Sequence, residues 1–388
     1  MRFALPYDSK EKAAMTILSA LFAETSKKYP DKTSMGKARD MLYGLTVSSS
    51  TKSKANLDIF EIQYTFINPK FLKDVTIDDF VAYIKETLLN TSITKKYYSE
   101  AKRNLIANYK RKLDKPVNKA KDSVFSIICK DHPSFGSTTI LSKDIQSLRK
   151  VKIEDVIKIY DTIIKKARLD VYICGDVKDD IADKLSFIKF NKRKDVSLKI
   201  DIIENMPNRE IIEEFDTKQS ILHVLYTTPY NSLHKDFYAF VMGNLFLGVL
   251  PTSLLFEEVR EKLSLCYSIS VFDLKLNGLV AINTSIDGKN KDLVIDNIKK
   301  QINNIITKNY DPMKLEISKT LFMNVISSTY DDQFSLIDYH YSNSLLGVNT
   351  SIEYYVKKIS EVTPDDLVRV FKNYKPYFIY MLEGKQNG

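Results

Sequence analysis

Arg260 and Tyr267 are the residues whose types and spacing best suit chemistry in this sequence. They stand in Gly248-Val-Leu-Pro-Thr-Ser-Leu-Leu-Phe-Glu-Glu-Val-Arg-Glu-Lys-Leu-Ser-Leu-Cys-Tyr-Ser-Ile-Ser270. Leu254, Leu255 and Val259 read as the buried face of a helix. Leu263, Leu265 and the Tyr267/Ile269 alternation then turn the chain into a strand. The spacing puts a guanidinium near the helix end and a phenol at the strand start. Two such donors over a groove can bind a peptide carbonyl or the oxyanion formed when it is attacked. The same residues also read as a solvated charge in the Glu-Glu-Val-Arg-Glu-Lys run and as an ordinary strand residue.

Other chemistries lack their residues. The four histidines, His132, His223, His234 and His340, include no pair at the spacing of a helical metal site. His223, His234 and His340 read as structural. No phosphate-cradling glycine loop and no nucleophile elbow occurs. Cys129, Cys174 and Cys266 are far apart, which excludes a C-x-x-C metal site and a disulfide framework and predicts reduced thiols in the cytoplasm. No signal-like apolar run opens the sequence and no stretch is long enough to cross a bilayer, so no membrane is expected. With 44% hydrophobic and 28% charged residues, the 388-residue chain has the composition of a globular protein. Its net charge of +9 is interspersed rather than massed in a tail. The basic stretch 95–121 reads as a solvated helix face; nucleic acid is not the expected partner.

The elements that must position Arg260 and Tyr267 come in two copies. Val151-Lys-Ile-Glu-Asp-Val-Ile-Lys-Ile-Tyr160 resembles Val362-Thr-Pro-Asp-Asp-Leu-Val-Arg-Val-Phe371, an offset of 362 − 151 = 211. Glu100 and Leu105 match Glu316 and Leu321 (316 − 100 = 216), and Leu21-Phe22 matches Leu245-Phe246 (245 − 21 = 224). The shared order of these matches argues for a duplicated fold. In the first half, helices are predicted over 10–28, 35–44, 77–90, 94–113, 117–130 and 153–166, with strands over 60–66 and 168–174. In the second, strands are predicted over 220–227, 265–273, 278–286 and 376–382. Helices are predicted there over 234–247, 251–262, 289–308, 313–329, 332–346, 351–359 and 364–372. Helices mixed with antiparallel strands predict an α+β fold, each half a sheet covered by helices. The predicted domains are 1–190 and 219–388, joined by a charged linker over 191–218. The tyrosines 339, 341, 354 and 355 are expected to pack in the core and between the halves.

The segment from Gly248 resembles the carboxy-terminal signature of the pitrilysin/insulinase family of inverzincin metallopeptidases, which includes the mitochondrial processing peptidase. Gly248, Ser253, Leu255, Val259, Arg260, Glu261, Leu265, Tyr267 and Ser268 fall in register with it. The resemblance runs over nearly the whole chain, through Cys174-Gly-Asp176 and Lys218-Gln-Ser220. It implies a half-clamshell of two homologous halves. Catalytic members carry H-x-x-E-H on their first helix, where two histidines bind zinc and the glutamate acts as general base. Anchored on Leu21-Phe22-Ala-Glu-Thr25, those five positions are here Met15-Thr16-Ile17-Leu18-Ser19. The resemblance therefore implies no metal and no catalysis by this chain alone. It implies instead a subunit that gives Arg260 and Tyr267 to a peptide-holding chamber, with zinc on a homologous partner in a heterodimer. The alternative is a structural or peptide-binding module with no role in proteolysis. Lys28-Tyr29-Pro30 and Met41-Leu-Tyr-Gly44 resemble a bacterial subgroup of such zinc-less subunits. Arg2-Phe-Ala-Leu-Pro6 resembles the second strand of the family's first sheet, which implies that an edge strand is missing or supplied elsewhere.

Overall fold

The computed structural model describes residues 1–132, 138–176, 180–188, 196–203 and 209–385. They form two compact units, one of Met1–Leu113 with Cys129–Lys199, the other of Asp114–Ile128 with Ile200–Gly388.

The sheet of the first unit comprises β1 (Arg2–Pro6), β2 (Thr46–Lys54), β3 (Leu57–Thr65) and β4 (Arg168–Asp170), in the antiparallel order β2-β3-β1-β4. Helix α1 (Ser9–Ser19) starts where the Asp8 carboxylate accepts hydrogen bonds from the Lys10 and Glu11 N–H groups, both at 2.9 Å. Its Ala14, Met15, Ile17 and Leu18 pack with Phe3, Phe60 and Ile62 of the sheet in one apolar core. The remaining helices are α2 (Lys32–Asp40), α3 (Ile77–Leu89), α4 (Lys95–Leu113), α5 (Pro116–Asp131), α6 (Leu141–Lys150), α7 (Ile153–Lys166) and the single turn α8 (Ile181–Lys184). Val156, Ile159 and Ile163 of α7 complete the core over α1.

The second sheet has five strands, β5 (Arg209–Phe215), β6 (Ser220–Thr227), β7 (Cys266–Leu274), β8 (Leu279–Ile286) and β9 (Lys375–Gly384), ordered β5-β9-β6-β8-β7. Only the β5–β9 pairing is parallel. Leu222, Val224 and Tyr226 of β6 enter a core shared with α9 (Phe237–Asn244), α10 (Lys291–Ile306), α11 (Pro312–Ser327), α13 (Ile352–Ser360) and α14 (Pro364–Phe371). Helix α12 (Gln333–Leu346) lies between α11 and α13 in sequence. Residues 116–128 of α5 belong to this unit, and Ser123 donates a 2.7 Å hydrogen bond to Glu213 of β5. Glu213 also accepts from Tyr380 at 2.7 Å and pairs with Lys119 at 2.5 Å.

The duplication is visible strand by strand: β2-β3-β1-β4 matches β7-β8-β6-β9. The corresponding helices α7 and α14 even begin alike. The Lys152 N–H donates to Asp155 at 2.9 Å and the Thr363 N–H to Asp366 at 2.8 Å, with 366 − 155 = 211. Strand β5 has no counterpart beside β4 among the described residues, and β1 itself is internal, between β3 and β4.

Several expectations need correction. The predicted helix 10–28 ends at Ser19, where the chain turns and Ala23 takes a left-handed φ of 58°. The strand predicted over 168–174 stops at Asp170. Strand β2 went unpredicted because Thr-Val-Ser-Ser-Ser-Thr-Lys-Ser-Lys has too few apolar residues to alternate; as an edge strand it needs none. Strand β5 falls inside the expected linker 191–218, so the end of that stretch is sheet. The linker residues 191–195 and 204–208 lie outside the described residues.

Candidate functional site

The segment carrying Arg260 and Tyr267 is anchored from below. Leu255 and Val259 are fully buried, Leu254 nearly so, and Ser253 is sealed beneath them. Gly248 marks the closest approach of this segment to β7. A Cβ there would lie 2.6 Å from Val271 Cγ2 and 3.1 Å from Leu255 Cδ1, so only glycine fits.

Between Phe256 and Lys262 the helix widens to the π form, with the Leu263 N–H reaching back five residues to the Glu258 carbonyl at 3.0 Å. Such insertions re-aim side chains and recur at functional sites. Here the widening carries Arg260 to the surface, its side chain 41% exposed. The chain then reverses through Ser264 at φ 50°, tied by the Leu265 N–H to the Val259 carbonyl at 3.0 Å. Tyr267 follows on the edge strand β7, where the register with β8 is broken between Cys266 and Ile269. This bulge leaves Tyr267 78% exposed.

The neighbouring charges are taken in a way that spares Arg260. Glu257 pairs with Lys314 and, at 3.3 Å, with Lys262; Glu258 lies 3.3 Å from Lys262 and 3.4 Å from Lys300. Among the described residues Arg260 pairs only with Glu261, at 3.5 Å across open surface, and stacks its guanidinium 4.4 Å from the Phe256 ring centroid. Among the described residues Tyr267 has no hydrogen-bond partner. Burial pushes the Cys266 thiol above its usual pKa, while a Thr284 hydrogen bond and the Arg260 charge pull the other way. The guanidinium is thus electrostatically coupled to the residue beside Tyr267. The arrangement offers two water-facing donors, one cationic and one phenolic, held at the ends of a buried frame.

The five positions of the zinc motif are built differently. Met15, Ile17 and Leu18 are at most 1% exposed, inside the apolar core. The two hydroxyls bond their own helix, Thr16 to the Lys12 carbonyl at 2.9 Å and Ser19 to the Thr16 carbonyl at 2.8 Å. A thioether, two aliphatic side chains and two engaged hydroxyls do not make a donor set for zinc or a base for its water. Among the described residues no group of three or more His, Cys, Asp and Glu side chains is placed to hold a metal.

The other residues singled out above have structural surroundings. His223 is buried in β6 with Nδ1 against Asn283 Oδ1. His234 accepts the Asp236 N–H at 3.0 Å and packs edge-on to Tyr230, and exposed His340 packs edge-on to Tyr339. Tyr355 contacts Phe237, Tyr238, Phe322 and Tyr339, all within the second unit. No helix among the described residues is long and apolar enough to cross a membrane.

Comparison with known proteins agrees with these features. Residues 150–322 match the family model described as the Peptidase M16 inactive domain. A Bacillus subtilis protein named "Probable inactive metalloprotease YmfF" is 23% identical over 98% of this chain and 91% of its own length. A crystal structure of a conserved Enterococcus faecalis protein superposes with TM-score 0.91 at 22% identity, covering 100% of this chain and 93% of the other. A peptidase M16 inactive domain from Pseudomonas fluorescens does so with TM-score 0.77 at 12% identity, covering 99% and 92%. The duplicated fold, the signature from Gly248 to Ser268 and these matches agree in likening the chain to the M16 peptidases, the pitrilysin/insulinase family, in a form without the zinc motif.

Proposed function

We propose that this chain is the non-catalytic subunit of a heterodimeric zinc metallopeptidase. A homologue bearing H-x-x-E-H supplies the zinc and the base. This chain supplies Arg260 and Tyr267, which grip the peptide backbone or polarise the scissile carbonyl. One observation carries the reading: both donors face water on a buried frame, Arg260 held by exposed Glu261 and the Phe256 ring, while the zinc positions are closed by apolar packing. Guanidinium stays charged at every physiological pH and offers five N–H donors, and the phenol adds one O–H. Both gain strength towards a carbonyl oxygen as it acquires negative charge. The test is to assay peptide cleavage by the purified chain, by the H-x-x-E-H homologue, and by their mixture. Turnover that appears or rises only in the mixture supports the proposal. Cleavage by this chain alone, or a mixture no better than the homologue, rejects it.

A second reading is a structural or peptide-binding module in an assembly without proteolysis. The observation favouring it is the row Met313, Ile317, Leu321 and Val325 along α11, whose apolar side chains are 36–63% exposed, as on surfaces that associate. It predicts a stable complex with no gain in cleavage.

A further inference from the structure

Thr284 puts a hydroxyl into an apolar column. The side chains of β8 that alternate towards the core are Val280, Ile282, Thr284 and Ile286, and the three aliphatic ones are at most 1% exposed. Thr284 is 4% exposed, so a valine of the same shape would suit the packing. A hydroxyl buried there is costly unless it is hydrogen-bonded.

Its partner is the bulge. Cys266 pairs with Ile286 and Ile269 with Thr284, so Tyr267 and Ser268 both stand opposite the single residue Ser285. Such a mismatch disrupts the ladder locally and leaves the extra residue unpaired. The Thr284 hydroxyl fills the gap, donating to the Ser268 carbonyl at 2.9 Å. The Cys266 thiol bonds the same hydroxyl. Both residues that flank Tyr267 are therefore tied to one buried oxygen. The phenol itself is 78% exposed, with no hydrogen-bond partner among the described residues, so its direction is set by its backbone.

We propose that Thr284 is a positioning residue: by holding the bulge on both sides of Tyr267, its hydroxyl sets the direction of the phenol and, through it, the grip on the peptide. The proposal rests on the reading above for Tyr267 being a peptide contact. Thr284 is buried beneath the strand and acts only through Tyr267, which distinguishes it from a residue that merely keeps the fold.

The test compares Thr284→Val, which keeps the shape and removes the hydroxyl, with Thr284→Ser, which keeps the hydroxyl. The first readout is NMR of the full chain alone with isotope-labelled tyrosine, the Tyr267 ring signal being the one missing from Tyr267→Phe. Thr284→Val is expected to move that signal and Thr284→Ser to leave it near its native position. The second is kcat/KM for peptide cleavage by the mixture with the H-x-x-E-H homologue. There Thr284→Val should lose about 3- to 10-fold, Thr284→Ser should recover most of it, and Thr284→Val should cost nothing further once Tyr267→Phe is present. A Tyr267 signal that Thr284→Val leaves in place overturns the proposal, whatever the cleavage data. So does a signal that moves equally in Thr284→Ser, or a loss of cleavage that is as large in the Tyr267→Phe background. A signal that moves in Thr284→Val and returns in Thr284→Ser, in a mixture whose cleavage does not depend on Tyr267, supports the positioning role and rejects the peptide-contact reading.

Discussion

Arg260 stacks on Phe256, the guanidinium 4.4 Å from the ring centroid, within a helix widened to i→i+5 hydrogen bonding. In a regular α-helix residues four apart share a face. The stack persists through the π widening, and it restrains an otherwise solvent-borne side chain near the start of β7. A double-mutant cycle with Phe256→Leu and Arg260→Met, read by urea unfolding, is expected to give a coupling of about 0.5 kcal/mol. A value of zero would mean that the stack does not orient the guanidinium.

Gly248 is where the signature segment touches β7. Gly248→Ala places a methyl 2.6 Å from Val271 Cγ2 and is expected to destabilise the fold by about 1–3 kcal/mol in urea unfolding. Val271→Ala should recover part of that loss in the double variant, because it removes the colliding methyl.

The closed zinc positions make a stability prediction. Leu18 is fully buried, so Leu18→Ala should cost about 2–5 kcal/mol. Restoring H-x-x-E-H through Met15→His, Leu18→Glu and Ser19→His puts a carboxylate into apolar packing. The triple variant is expected to lower the melting temperature more than Leu18→Ala does, with no zinc retained after dialysis. A stable, zinc-loaded variant would contradict the packing described.

Two buried groups act oppositely on the acid side. Burial raises the Asp58 carboxyl to a pKa of about 6, against which a Ser53 hydrogen bond works. Its stabilising, protonated form is present in full below the unfolded value near 4 and is lost as pH rises through about 6. Burial lowers His223 to about 4, so its contribution is present above about 6.5 and is lost as pH falls through about 4. Asp58→Asn should therefore steepen the loss of stability between about pH 6 and 4, and His223→Gln should flatten it. Melting temperatures across that range check both signs.

What the sequence made legible follows from where local pattern and tertiary need coincide. Helix α7 and strand β6 have the predicted bounds, 153–166 and 220–227, because an apolar stripe and a buried β-branched run leave no alternative. Residues Arg209-Glu-Ile-Ile-Glu-Glu-Phe215 look like charged linker, since β5 is an edge strand whose pairing is decided by β9. The π widening over Phe256–Lys262 is a backbone shift that side-chain periodicity does not record. Arg260 and Tyr267 were legible as a pair of types at a spacing; their exposure required the bulge after Cys266 and the lysines that occupy Glu257 and Glu258.

The most direct measurement is kcat/KM for peptide cleavage by the mixture of this chain with its H-x-x-E-H homologue, using native, Arg260→Ala and Tyr267→Phe forms of this chain. The account predicts losses of about 100-fold and about 10-fold respectively, with complex formation unchanged. Undiminished turnover with both variants would contradict it.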